Sequence, residues 1–170
     1  MQDHHFIGLN FCLLSAQSLN NKGVEFIHLI CEYKPDVVAL TEKWFSPMES
    51  ALQTLCTPAG YKLLDYPRTS RTGGGTGVLF RDNLTVTKGD ATELRSFEYS
   101  EWHIKSETDQ VYLIIIYRTP YSAAHPVTTH AFFDEFSVFL ESVVFCSSHL
   151  LITGDFNIHI DVAGDADAIR

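Results

Sequence analysis

The run Leu9-Asn10-Phe11-Cys12-Leu13-Leu14-Ser15, then a helical apolar period over residues 24–34, then Val37-Val38-Ala39-Leu40, decides the fold class. The first segment is apolar almost throughout, the pattern of a strand covered on both faces. Asn20-Asn21 breaks it. Val24, Ile27, Ile30 and Cys31 recur at three- and four-residue spacing, which predicts a helix, and Pro35 ends it. The apolar residues 37–40 read as a short buried strand, which closes a β-α-β unit.

Working outward, Ser46-Pro47-Met48-Glu49 supplies an N-cap, a proline at the first helical position and a capping-box glutamate, so a short helix is expected to about Leu55. Arg71-Thr72-Gly73-Gly74-Gly75-Thr76-Gly77 leads into the strand Val78-Leu79-Phe80. Residues 99–104 and 111–117 are apolar segments parted by the polar turn 106–110, which predicts antiparallel strands. Phe132, Phe136, Leu140 and Val143 lie on one helical stripe, and Leu150-Leu151-Ile152 forms a last strand ending at Gly154-Asp155. A β-α-β start mixed with hairpins indicates a layered α/β (α+β) sandwich and excludes a purely parallel sheet.

With 170 residues, 45% of them hydrophobic, the chain is sized for one domain; residues 1–8 read as an N-terminal extension and 9–170 as the domain. No apolar run approaches the roughly 18 residues of a membrane span, and Met1-Gln2-Asp3-His4-His5 lacks a leader's basic and apolar regions, so an intracellular protein, nuclear or cytoplasmic, without a membrane partner is expected. Cys12, Cys31, Cys56 and Cys146 include no C-x-x-C pair and are expected to be reduced thiols of the core. The net charge of −9 argues against a broad basic nucleic-acid surface. Beyond Thr119 the only basic residue is Arg170, against seven acids, so any phosphate-contacting surface is expected in the first two-thirds, where Arg68, Arg71 and Arg81 are close in sequence.

Three polar clusters sit at predicted strand ends: Thr41-Glu42-Lys43-Trp44, Tyr117-Arg118-Thr119-Pro120 and Gly154-Asp155-Phe156-Asn157. Glu42 is a hard oxygen ligand suited to Mg²⁺, which takes one or two carboxylates plus waters and phosphate oxygens; it is equally an ordinary polar residue ending a strand. Asp155 and Asn157, two apart, point the same way if the segment stays extended, one to hold or deprotonate water and the other to bind a phosphate oxygen; Gly-Asp-x-Asn is also a common turn composition. Tyr117 is a phenolic donor for a phosphate and Arg118 a charge clamp beside it, although a strand-end tyrosine needs no such role. The glycines at 73, 74, 75 and 77 precede a strand and not a helix N-terminus, which favours a hairpin entry over a phosphate loop. No histidine pair has metal-ligand spacing, and only His159 is near these clusters.

Taken in order, Phe11-Cys12-Leu13-Leu14-Ser15-Ala16-Gln17-Ser18-Leu19 with Asn21-Lys22, Lys34-Pro35-Asp36 leading to Thr41-Glu42-Lys43-Trp44, Arg71-Thr72-Gly73-Gly74-Gly75, Ser96-Phe97-Glu98, Tyr117-Arg118-Thr119-Pro120 and Gly154-Asp155-Phe156-Asn157-Ile158-His159 resemble the successive motifs of LINE-type (non-LTR) retrotransposon endonucleases. That group belongs to the endonuclease/exonuclease/phosphatase superfamily and is related to apurinic/apyrimidinic endonucleases. The resemblance implies a four-layer α/β/β/α sandwich, a DNA target, a nick dependent on Mg²⁺ (or Mn²⁺), and a reverse transcriptase domain as partner in a parent polyprotein. Carried over by position, it implies Glu42 as metal ligand, Tyr117, Asp155 and Asn157 as catalytic residues, and Ser15, Arg118 and Arg71 as substrate contacts. Two departures stand out: Ser15 occupies the place of an asparagine, and nothing after Asp161 matches the group's closing Asp-His pair. The chain is therefore expected to be truncated at its C-terminus and impaired, with an exposed sheet edge that favours self-association. A phosphoesterase of the same fold and a non-catalytic binding or assembly module are the alternatives.

Overall fold

A computed structural model describes residues 8–16, 22–42, 50–66, 75–146 and 148–158. Strand β1 (Phe11–Ser15) is followed by helix α1 (Gly23–Tyr33) and β2 (Val37–Thr41), then by α2 (Ser50–Leu55), β3 (Tyr61–Tyr66) and β4 (Thr76–Arg81). The second half holds β5 (Thr85–Glu93), β6 (Glu98–Lys105), β7 (Gln110–Tyr117), α3 (Thr129–Val143) and β8 (His149–Asp155). Two four-stranded sheets result, ordered β1-β2-β4-β3 and β5-β6-β7-β8. Each has a parallel pair at one edge, β1 with β2 and β7 with β8, joined by α1 and α3 respectively, and antiparallel pairing elsewhere.

Three apolar clusters fill the spaces between layers. Val37, Ala39, Val78, Phe80, Trp102, Leu113 and Ile115 pack between the sheets. Phe26 and Ile30 of α1 pack with Val38, Leu40 and Leu79 on the outer face of the first sheet. Phe132, Phe139 and Val143 of α3 cover Tyr112, Ile114 and Ile116 on the outer face of the second. This is the helix/sheet/sheet/helix sandwich expected from the sequence, and its cause is visible in β2 and β7: both are apolar on both faces because each faces a sheet on one side and a helix on the other.

Several local expectations are corrected. Of the residues that mark the helical period of α1, Ile30 points inward with Phe26, while Val24 is 82% exposed and Cys31 is exposed. Apolar residues occur around most of its circumference, so period alone does not fix which side is buried. In α3, Phe139 and not Leu140 completes the inward stripe. Of the four cysteines, all free, only Cys56 is fully buried, and desolvation raises its thiol pKa. Strands β3 and β5 carry no alternation that marks them from sequence; β5 is an edge strand exposed along most of its length, with a register shift between Lys88 and Ala91. The predicted helix start at residues 46–49 lies outside the described residues, of which α2 begins at Ser50.

Among the described residues β1 and β8 end their sheets, and Leu13 on β1 is 40% exposed. No helix among them is long and apolar enough to cross a membrane.

Candidate active site

The polar end of the sandwich follows from the period of two along each strand. In the space between the sheets, Val37 and Ala39 of β2 are followed by Thr41; Val78 and Phe80 of β4 are preceded by Thr76; Trp102 and Ile104 of β6 are preceded by Ser100 and Glu98. On β7, Leu113 and Ile115 are followed by Tyr117, and on β8 Leu151 is followed two steps on by Thr153 and then Asp155. Register aligns these positions into rows. Ser15 pairs with Thr41 and Thr41 with Thr76 in the first sheet; Glu98 pairs with Tyr117 and Tyr117 with Asp155 in the second. One end of the intersheet space is therefore apolar and the other lined by hydroxyls and carboxylates.

Hydrogen bonds close the two rows on each other. Tyr117 Oη donates to Glu42 Oε1 at 2.5 Å, and Ser15 Oγ donates to Asp155 Oδ2 at 3.0 Å. Glu42 reaches Tyr117 because it leaves β2 at φ 53°. Continued extended backbone sends a residue after Thr41 to the outer face; the left-handed turn breaks that alternation, at a conformational cost of about 1–2 kcal/mol for a residue with a Cβ.

Asp155 is held with equal detail. Gly154, at φ 155°, lies so close to β7 that a Cβ there falls 1.9 Å from the Ile116 carbonyl oxygen. Arg118 N–H donates to the Asp155 carbonyl at 2.9 Å, and Asn157 N–H donates to Asp155 Oδ1 at 3.1 Å. Both carboxylate oxygens of Asp155 are thus oriented, Oδ2 by Ser15 of the first sheet and Oδ1 by the turn that follows β8. Asn157 has φ 47°, so the segment turns instead of staying extended, and its Nδ2 donates to the Arg118 carbonyl at 2.6 Å. Phe156 anchors this turn by packing edge-on against Phe132 and Phe136 of α3.

Ser15, Glu42, Tyr117, Asp155 and Asn157 are brought to this one end. Arg118 is not a surface clamp: it is 2% exposed, its guanidinium donates to the Phe156 and Asn157 carbonyls at 3.3 and 2.8 Å and to Thr129 Oγ1 at 2.8 Å, and it lies over the Phe132 ring. Its role is to fix the turn carrying Asn157. Arg118→Ala leaves the buried Thr129 hydroxyl and the half-buried Phe156 and Asn157 carbonyls without their donor, so it is expected to cost about 3 kcal/mol, read as a lower urea midpoint; Arg118→Lys, lacking the planar fork, is expected to recover under half of that.

Arg81 belongs to the opposite end from Glu42, where it pairs with Asp36 at 2.7 Å and donates to the Lys34 carbonyl. Arg68, Arg71 and His159 lie outside the described residues.

Thr41, Thr76, Glu98 and Ser100 were not singled out from the sequence as site residues, yet they line the same polar end. Their signal was available: in β6 the inward phase that carries Trp102 and Ile104 also carries Ser100 and Glu98, a charged residue in a buried phase.

A hydrated divalent cation suits this donor set. Among the described residues no group of three or more His, Cys, Asp or Glu forms a metal cage. Mg²⁺ needs no such cage, being held by one or two carboxylates with waters and phosphate oxygens. Glu42 offers the hard oxygen, and the fully buried Thr41 Oγ1 beside it has no hydrogen-bond partner among the described residues, so the protein leaves oxygen capacity unused at this point.

Comparison with known proteins agrees with this architecture. The model of the Endonuclease/Exonuclease/phosphatase family matches residues 9–163, and the chain belongs to that family. Solved structures similar to it include truncated Caenorhabditis elegans TDP2 (TM-score 0.63, 14% identity, 89% of this chain and 63% of that one). D. rerio TDP2 complexed with single-strand DNA product gives a TM-score of 0.60 at 17% identity over 89% of this chain and 61% of that one. A Bacteroides thetaiotaomicron mannosyl-6-phosphatase, Bt3783, gives 0.62 at 13% identity over 88% and 66%. At these identities the structural likeness shows a shared fold alone, and the chain spans less than two-thirds of each of these three structures. No curated protein sequence matches the chain.

Proposed function

We propose, from membership of the Endonuclease/Exonuclease/phosphatase family as premise, that this chain hydrolyses phosphodiester bonds of DNA with Mg²⁺ or Mn²⁺. The observation that carries the reading is the pair of bonds spanning the sheets, Tyr117 to Glu42 and Ser15 to Asp155, which gathers two carboxylates and a phenol at one end of the sandwich. Glu42 would hold the cation. The cation supplies Lewis-acid polarisation of a phosphoryl oxygen. Asp155, whose carboxylate is oriented by Ser15 and by the Asn157 backbone, accepts the proton of the attacking water. Tyr117 gives its one hydroxyl proton to Glu42 and so orients that carboxylate; Asn157 is held by the Arg118 carbonyl. Ordered sequence motifs support the finer assignment, DNA nicking of the LINE-retrotransposon type, inside the cell and in company with a reverse transcriptase domain.

A second reading, a phosphoesterase acting on small substrates, is favoured by one observation. Arg81 is paired at the far end and Arg118 is buried, so neither of these two arginines is placed to meet a long polyanion. Hydrolysis of bis(p-nitrophenyl) phosphate and of p-nitrophenyl phosphate, each in Mg²⁺, Mn²⁺ and EDTA, separates the two. Preference for the diester, lost in EDTA, is the expected result; preference for the monoester moves the assignment to the second reading, and no turnover of either removes both.

A further inference from the structure

Beneath the bonds of the candidate site, a second set joins the two sheets. The Gly75 N–H, at the entry to β4, donates to Glu98 Oε1 of β6 at 3.1 Å in a buried position. One step along, Thr76 Oγ1 donates to Ser100 Oγ at 2.7 Å, and Ser100 Oγ also accepts the Trp102 indole N–H at 2.9 Å. Glu98 is 9% exposed and Ser100 fully buried. A carboxylate in the phase of Trp102 and Ile104 is unfavourable for packing alone, since an apolar residue there fills the layer without desolvating a charge. Its presence needs a positional reason.

Register supplies one. Thr76 is the cross-strand partner of Thr41, the residue before Glu42, and Glu98 is the cross-strand partner of Tyr117, which is in turn the partner of Asp155. The Gly75–Glu98 bond therefore runs from the strand beside the Glu42 strand to the strand beside the Tyr117 strand, as a brace next to the Tyr117–Glu42 bond. We propose that Glu98 is a positioning residue that sets the separation between Glu42 on one sheet and Tyr117 and Asp155 on the other. Its consequence for catalysis rests on the phosphodiesterase reading; its structural action does not. Gly75, at φ 83°, presents its N–H to the brace from a left-handed conformation.

The test uses the full chain with Glu98→Gln, whose amide oxygen still accepts from Gly75; Glu98→Ala, which removes the acceptor; and Glu98→Asp, which keeps the charge but is one methylene shorter. Amide hydrogen exchange is read first, on metal-free protein. Glu98→Ala and Glu98→Asp are expected to speed exchange at Gly75 and Thr76 by about tenfold or more while β7 stays protected, and Glu98→Gln is expected to match the unsubstituted chain. Glu98→Asp carries the test should the alanine variant not fold. In the hydrolysis assay the same two variants are expected to need roughly tenfold more Mg²⁺ for half-maximal rate, with KM for the diester little changed. Unchanged exchange at Gly75 overturns the brace. Altered exchange with an unchanged Mg²⁺ requirement overturns the positioning role and leaves a structural contact. If exchange responds as expected but no phosphoester is hydrolysed even by the unsubstituted chain, the brace stands and the functional reading falls.

Discussion

Gly154→Ala is expected to lower the stability of the fold by about 3 kcal/mol or more, since the added Cβ overlaps backbone and not a movable side chain. The Cβ meets the Ile116 carbonyl oxygen at 1.9 Å, and its carbon and nitrogen at 2.7 and 2.8 Å, so relief requires β8 to move away from β7. That movement breaks the Arg118–Asp155 backbone bond and withdraws the Asp155 carboxylate from Ser15. A denaturant titration is expected to show a lower midpoint, or no cooperative transition. Alanine tolerated at the original midpoint contradicts the close approach of the two strands.

Asp155→Asn separates geometry from chemistry at the same place. The amide keeps an oxygen that accepts from Ser15 or Asn157 but takes no proton, so the variant is expected to fold with a nearly unchanged melting temperature. Diester hydrolysis is expected to fall by about 10³-fold, in the range for loss of a positioned general base. A rate within a few-fold of the unsubstituted chain assigns proton transfer to another group. Ser15→Ala is the milder companion: it removes one of the two bonds orienting Asp155 and leaves the base in place.

The readable parts of the sequence were those where one physical demand dominates. Val37–Thr41 and Gln110–Tyr117 are buried from both sides, so their apolar runs announce central strands, and the helices joining the two parallel pairs were marked by period and by terminators such as Pro35. Thr85–Glu93 was invisible because an exposed edge strand needs neither alternation nor apolar residues. The inward face of α1 was not legible from period, because Phe26, Ile27, Leu29 and Ile30 leave the buried direction to be chosen by the sheet beneath.

Within the site, strand ends gave the location of Glu42, Tyr117 and Asp155, but not their relations. The left-handed turn that swings Glu42 across to Tyr117 has no sequence signal, since glutamate is not a residue that favours that conformation. Arg118 illustrates the opposite error. Beside a phenol it reads as a phosphate clamp, yet three acceptors and an aromatic face claim its guanidinium. A sequence cannot announce such partners, because Thr129, Phe132 and Phe156 meet Arg118 only through the crossover of α3 and the return of β8.

The most direct measurement is the conversion of supercoiled plasmid to open circles by the unsubstituted chain and by Glu42→Gln, in Mg²⁺ and in EDTA. The account predicts open circles from the unsubstituted chain in Mg²⁺ alone, with a loss of about 10³-fold in Glu42→Gln, since the residue that would hold the cation is gone. Equal nicking by Glu42→Gln, nicking that persists in EDTA, or intact plasmid in every lane contradicts it.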